Sequence, residues 1–83
     1  MAGQRYGVIV VETVDQSKAG YLMLQGHRIT IITGPGATRY IFDPSAQKDA
    51  DSYDSGVMVP AAIYADTLAR LRRLTAEKRG AAR

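Results

Sequence analysis

Apolar residues recur at spacings of three and four over residues 59–78, which is the longest regular pattern in the chain. This spacing places them along one face of an α-helix. Pro60 suits the first helical position because its missing N–H needs no partner there. Gly80 is the expected stop. The helix is predicted to bury an apolar face made of Ile63, Tyr64, Thr67, Leu68, Leu71 and Leu74.

The other face of this predicted helix is charged. Asp66 and Arg70 are four residues apart, as are Arg73 and Glu77. Pairs of opposite charge at this spacing stabilise a helix by roughly 0.2–0.5 kcal/mol each. Both pairs are therefore expected to form on the solvent side.

Two further elements are predicted before residue 27. Arg5 to Glu12 includes a run of β-branched residues without alternation, which indicates a strand covered on both faces. Thr13 and Gln16 then fit a capping box, with Thr13 as the N-cap. The helix is expected to run over 14–25 and to stop at Gly26. A strand through residues 21–24 is the alternative, because that run lacks clean periodicity.

Gly20 lies in the middle of this predicted helix, where glycine costs about 1 kcal/mol relative to alanine. Its lack of a side chain permits close packing against a neighbouring element.

A β-hairpin is predicted next. Residues 27–33 are rich in β-branched residues, 34–36 form a Gly-Pro-Gly turn, and 38–42 make the returning strand. Pro44 ends that strand because proline cannot donate to a ladder.

The following segment, residues 45–55, is polar and acidic. A short helix over 44–53, with Asp43 as cap and Gly56 as stop, is one interpretation, and a mobile loop is the other. Residues 57–59 are expected to form a short edge strand.

The resulting order, β-α-β-β-α-α, predicts an α+β fold. It is a two-layer sandwich in which a small antiparallel sheet of about three strands is covered by two or three helices. Residues 1–79 are expected to form a single domain and residues 80–83 a flexible basic tail.

The charge is unevenly distributed. The 83 residues carry a net charge of +3. Residues 60–83 account for +4, and residues 1–59 for −1. Such a basic end suits an acidic protein face or a phosphate backbone.

The chain contains no cysteine, which excludes disulfides and thiolate metal sites. No apolar run approaches the roughly 20 residues that span a bilayer. We expect no membrane association and a location in the cytoplasm of a host cell, with the virion as the alternative.

Motifs for catalysis are weak. His27 is the only histidine, so a catalytic triad or a zinc site lacks partners. The Gly-Pro-Gly run over 34–36 lacks the lysine and the following helix of a phosphate-binding loop. Residues 49–56 resemble a calcium loop, but the sixth and twelfth positions are Asp54 and Pro60 rather than Gly and Glu. We expect no enzyme activity, metal or cofactor. A small-ligand or cation site in the acidic segment is the weakest hypothesis.

The run T-x-D-x-x-x-A-x-x-L-x-x-x-G-H over residues 13–27 is followed by Phe42-Asp43 and by leucines at 68, 71 and 74. In this order, over about residues 6–76, the chain resembles an uncharacterised family of small domains encoded by bacteriophages and bacteria. The resemblance implies an origin in a mobile element and a non-enzymatic accessory role.

Five tyrosines are spread along the chain. Tyr6, Tyr40 and Tyr53 are candidates for a sheet face left open to a partner. Burial beneath the helices is the alternative.

Two hypotheses for function follow. The first is an interaction module that contacts a protein partner or a second copy through the basic helix. The second is a small nucleic-acid-binding protein that uses the same cations on the phosphate backbone. The candidate binding residues for either are Arg39, Arg70, Arg72, Arg73, Lys78 and Arg79.

Overall fold

The computed structural model describes residues 10–81. Within them, three strands and three α-helices follow one another in the predicted order. They are β1 (Val11–Thr13), α1 (Gln16–Leu24), β2 (Ile29–Ile32), β3 (Arg39–Phe42), α2 (Gln47–Asp54) and α3 (Ala61–Ala81). A single 3-10 turn, Pro44–Ala46, leads into α2. The α+β fold with its antiparallel sheet is confirmed.

The sheet order is β1-β3-β2, so β3 is the central strand and pairs antiparallel with both neighbours. Tyr40 lies between Thr13 and Ile31, and Phe42 lies between Val11 and Ile29. These side chains point to one face, since successive residues of a strand alternate. That face carries the core against the helices.

The opposite face of the sheet is open to solvent. It bears Glu12, Thr30 and Arg39, which are exposed, and Ile32 and Ile41, which are half-buried. The prediction that the first strand is covered on both faces is therefore wrong for its described end. Residues 5–9 of the predicted strand lie outside the described residues.

Of the two interpretations of the tyrosines, burial fits the described residues and an open sheet face does not. Tyr40 is buried in the core beneath the helices. Tyr53 belongs to α2, where its ring lies 5.6 Å from the ring of Tyr21. Tyr6 lies outside the described residues.

Helix α1 starts later than predicted because its cap is a different residue. Thr13 is the last residue of β1 and is paired with Tyr40. The N-cap is Asp15, whose Oδ1 accepts from the backbone N–H groups of Ser17 at 2.9 Å and Lys18 at 3.3 Å. The Thr13 hydroxyl accepts from the N–H of Asp15 at 3.0 Å. The predicted capping box is thus replaced by an aspartate cap that Thr13 positions.

The end of α1 is as predicted. Gly26 adopts φ +93°, a conformation that favours glycine. Its N–H donates to the carbonyl of Met23, and the N–H of His27 donates to that of Leu22. This pair of bonds is the Schellman motif, which satisfies the last carbonyls of a helix.

The acidic segment is helical rather than a loop, and it stops before Gly56, whose φ is +89°. Asp43 precedes the 3-10 turn without a capping side-chain bond. Residues 57–59 are irregular, so the predicted edge strand is wrong.

Helix α3 is longer than predicted. It begins at Ala61, where the N–H of Tyr64 already donates to the carbonyl of Pro60 at 3.0 Å. It continues through Gly80 to Ala81. Gly80 is therefore not the stop, and the predicted flexible tail begins inside the helix.

Candidate interaction surface

Helix α3 packs against the rest of the domain through a narrow stripe of residues. Leu71 is fully buried and Thr75 nearly so, while Tyr64 and Leu68 are half-buried. The hydroxyl of Tyr64 donates to the carbonyl of Ser17 in α1 at 2.6 Å. The predicted helix and the burial of Leu71 are confirmed, and Leu68 is covered only in part.

Gly20 is the reason that α1 and α3 approach so closely. A Cβ at this position would lie 2.5 Å from Leu68 Cδ2 and 3.6 Å from Tyr64 Cε1. The mid-helix glycine therefore has the packing role that the sequence suggested.

Two members of the predicted apolar face are not buried. Ile63 is 54% exposed and Leu74 is 36% exposed. Both lie on the flank of α3 beside the buried stripe, and Arg70 lies between them on the same flank. The physical reason is that a single helix on a thin domain contacts its neighbours over only part of its circumference. The flank that carries Ile63 and Leu74 is left for solvent or a partner.

A groove runs between this flank and strand β2. One depression, with a cavity volume of about 480 Å³, is lined by Ile29, Thr30, Ile31, Leu74, Glu77 and Lys78. A second depression of the same volume shares Ile29 and Leu74 and adds Met23, His27, Arg28 and Arg70. We call the two together the β2–α3 trough. Its floor is apolar and its rim is mainly basic.

The predicted binding residues do not form one cluster. Arg70 and Lys78 line the β2–α3 trough. Arg72 and Arg73 are exposed elsewhere on α3. Arg72 lies about 160° around the helix from Arg70, since each residue turns by about 100°.

Arg79 and Arg39 have structural partners. Arg79 Nη2 donates to the hydroxyl of Thr38 at 2.7 Å, which ties the last turns of α3 to the hairpin. Arg39 Nη1 lies 3.2 Å from Glu12 Oε2, across the open face of the sheet. Arg39 also lines a depression of about 410 Å³ beside the Gly34–Gly36 turn.

The predicted ion pairs of α3 are not formed. Among residues 10–81, neither Asp66–Arg70 nor Arg73–Glu77 is within 4.0 Å, and neither Arg72 nor Lys78 has a carboxylate within that distance. Arg70, Arg72, Arg73 and Lys78 thus have no ion-pair partner in this part of the chain.

The acidic side chains of α2 are used differently from any of the predictions. His27 Nε2 lies 2.6 Å from Asp49 Oδ2, and Lys18 Nζ lies 3.0 Å from Asp54 Oδ1. Both contacts join α1 or its end to α2. Over the described range no group of three or more acidic or histidine side chains is placed to hold a metal ion. The acidic side chains of α2 therefore link this helix to α1.

The environment of the Tyr64 phenol shifts its acid–base equilibrium. Burial raises the pKa of its phenol above the ordinary value of 10.0, and the neighbouring Tyr53 adds to the shift. The phenol is thus held in the protonated form that donates to Ser17.

Comparisons with protein-family models, with curated proteins and with solved structures give no match to this chain. The resemblance to an uncharacterised phage and bacterial family therefore stays a prediction. The class that the structure defines is a small α+β sandwich. No helix within residues 10–81 is long and apolar enough to cross a membrane.

Proposed function

We propose that this protein is a non-catalytic interaction module that recognises a protein partner through the β2–α3 trough. The observation that carries the proposal is the exposed apolar flank of α3. Leu74 lies in the trough beside Ile29, with Arg70 and Lys78 on either side of it. An apolar centre with arginine at the rim is the composition of a protein interface.

The size of the domain supports this proposal. A chain of 83 residues buries only about 60–65% of its unfolded surface, so its hydrophobic core is small. A leucine or isoleucine that stays exposed does not add to that core. A partner that covers Leu74 and Ile63 adds buried apolar area to the domain. The accessory role in a phage or mobile element that the resemblance implies belongs to the same proposal.

Affinity capture with the tagged full-length chain, from a lysate of the cells in which it occurs, tests the proposal. Leu74→Asp places a charge in the trough, whereas Ala76→Asp places the same charge on the exposed opposite flank of α3. We expect a protein that is retained by the wild type and by Ala76→Asp, is lost with Leu74→Asp, and is unaffected by nuclease. Capture that ignores Leu74→Asp would contradict the proposal.

The second candidate function is nucleic-acid binding, which is favoured by the free cations Arg70, Arg72, Arg73 and Lys78. Their spread around α3 counts against it, because cations on opposite sides of one helix cannot follow the same phosphate track. This alternative predicts binding at low salt that weakens steeply as salt rises. A mobility-shift series over salt measures it, and no binding at about 50 mM salt would remove it.

A further inference from the structure

Within residues 10–81, one edge of strand β2 has no paired strand. In the sheet formed by residues 10–81, β2 pairs with β3 alone. Its four residues, Ile29–Ile32, have the sequence ITII, with no proline and no charge. Natural proteins usually protect an edge strand with proline or charged residues, with a bulge or with a covering element. An edge of β-branched residues without this protection is suited to accept another strand.

The β2–α3 trough follows this edge. One of its depressions is lined by Ile29, Thr30 and Ile31 in succession. Consecutive residues of a strand point to opposite faces of the sheet, so a depression that touches all three lies along the edge. Main-chain donors and acceptors on that side of β2 therefore face the trough.

The wall opposite β2 is the C-terminal half of α3. Arg70 lies with Arg28 at one end of the trough, and Lys78 lies with Ile31 at the other. Residues 27–31 span about 13 Å as a strand, and residues 70–78 span about 12 Å as a helix. The trough is thus long enough for about four extended residues.

The charges around the trough select the occupant. Arg28 and Arg70 meet at one end, while Lys78 has Glu77 beside it at the other. His27 is engaged with Asp49. The excess of positive charge favours an acidic segment and disfavours a second copy of this edge, which would bring its own Arg28 and Arg70.

We infer that the trough receives an extended acidic segment of a partner protein, which adds to β2 as a fourth, antiparallel strand. This inference rests on the proposed function and specifies the partner's chemistry. Alternate apolar side chains of the segment pack on Ile29 and Leu74, and carboxylates at its C-terminal end meet Arg28 and Arg70. The antiparallel direction follows the rest of the sheet, and it brings the C-terminal end of the segment to the start of β2.

The test uses a defined probe, the acetylated peptide amide Val-Thr-Ile-Glu-Glu, titrated into the isotope-labelled full-length chain. We expect the largest changes in amide NMR shifts over residues 28–31 and 70–78. Replacing both glutamates of the peptide by glutamine is expected to weaken binding by about two- to thirtyfold, the size of two exposed charge pairs. N-methylation of the peptide at alternate residues removes its main-chain donors. We expect one of the two methylation patterns to abolish binding and the other to preserve it.

Two variants locate the acidic end of the peptide. Arg70→Gln is expected to weaken binding by about two- to fivefold, and Arg72→Gln, a matched change on the opposite flank, is expected to leave it unchanged. Both side chains are exposed, so neither variant endangers the fold. Absence of shifts along β2, or equal loss with both variants, would overturn the inference. Indifference to both methylation patterns would also overturn it, since the peptide would then bind through side chains alone.

The failures of the two proposals can be told apart. If Leu74→Asp abolishes capture but the peptide neither binds nor competes, the interaction module stands and strand addition is wrong. If shifts along β2 grow with protein concentration and no peptide is present, a second copy occupies the trough and an acidic partner segment is wrong. If the peptide binds along β2 while capture ignores Leu74→Asp, the trough binds acidic strands but the proposed function fails.

Discussion

Helices α1 and α3 pack against each other and yet are built in opposite ways. Helix α1 has nine residues, of which Ala19–Met23 are buried in succession. Helix α3 has 21 residues, and among those whose burial is described only Leu71 and Thr75 are buried. The short helix is the centre of the fold and the long one is largely surface. The length and regularity of an apolar pattern thus indicate a helix, but they do not indicate how deeply it is buried.

The sequence patterns of the two helices show the reason. Helix α1 lacks clean periodicity because it is enclosed by the sheet, by α2 and by α3, so apolar residues occur all around it. Helix α3 has the regular apolar spacing of a helix that exposes one side to solvent. Part of its apolar face, at Ile63 and Leu74, extends past the contact with α1.

The largest difference between a buried and an exposed position of α3 is expected when Leu71 and Leu74 are each replaced by alanine and the losses of stability are compared. Leu71→Ala removes a fully buried side chain and is expected to lower the free energy of unfolding by about 2–5 kcal/mol. Leu74→Ala removes a partly exposed one and is expected to cost about 0.5 kcal/mol. Urea unfolding of the two variants measures the difference, and equal losses would show that the trough is closed in solution.

The next effect concerns the contact at Gly20. Gly20→Ala gains up to about 1 kcal/mol of helix propensity but drives a Cβ to 2.5 Å from Leu68 Cδ2. Overpacking of this kind costs about 1–3 kcal/mol, so we expect a net destabilisation of about 1 kcal/mol.

A double-mutant cycle with Leu68→Ala isolates that contact. In the Leu68→Ala background the new methyl group has room, and Gly20→Ala is expected to become neutral or stabilising. Gly34→Ala, where nothing lies within 4 Å, is the control for a glycine without packing. The same loss in both backgrounds would mean that Leu68 is not what Gly20 accommodates.

The cap of α1 gives a smaller effect. Asp15→Ala removes the acceptor for two backbone N–H groups and is expected to cost about 1 kcal/mol in urea unfolding. Asp15→Asn keeps an acceptor and should cost less. If Thr13→Ala proved more damaging than Asp15→Ala, the capping box predicted from the sequence would be the better description.

Much of the fold was predictable because it depends on local chemistry. Gly26 stops α1 because it adopts φ +93°, a conformation that favours glycine, and the Gly-Pro-Gly composition of residues 34–36 marks the turn that joins β2 to β3. Sequence reasoning failed where a distant partner decides. Thr13 is drawn into β1 by pairing with Tyr40, so Asp15 becomes the cap. Arg79 binds Thr38, which holds the last turns of α3 past the expected stop at Gly80.

The candidate site was predictable only in part. The charge excess identified α3, and Arg70 and Lys78 do line the trough. The trough itself depends on β2 being an edge strand, and no local pattern gives the strand order. The helical spacing predicts Leu74 in the core, because periodicity alone cannot tell a buried apolar position from a bordering one.

The smallest effect tests the hydrogen bond between the two helices. Because burial raises the pKa of the Tyr64 phenol above 10.0, the folded chain holds that proton more tightly than the unfolded chain. The linked stability is fully present below pH 10.0 and is lost as pH rises through the raised pKa. Tyr64→Phe carries no such proton and also lacks the bond to Ser17, so it should be less stable at neutral pH and should lose less stability in alkali.

Urea unfolding of the wild type and Tyr64→Phe at neutral pH and above pH 10.0 measures this difference. The other four tyrosines are present in both proteins, so a difference between the two sets of curves comes from the change at residue 64. We expect the two stabilities to converge as the pH rises, because ionised Tyr64 cannot donate to the carbonyl of Ser17. Curves that stay parallel would mean that the phenol is equally solvated in the folded and unfolded chains, and that its bond to Ser17 does not stabilise the contact between α1 and α3.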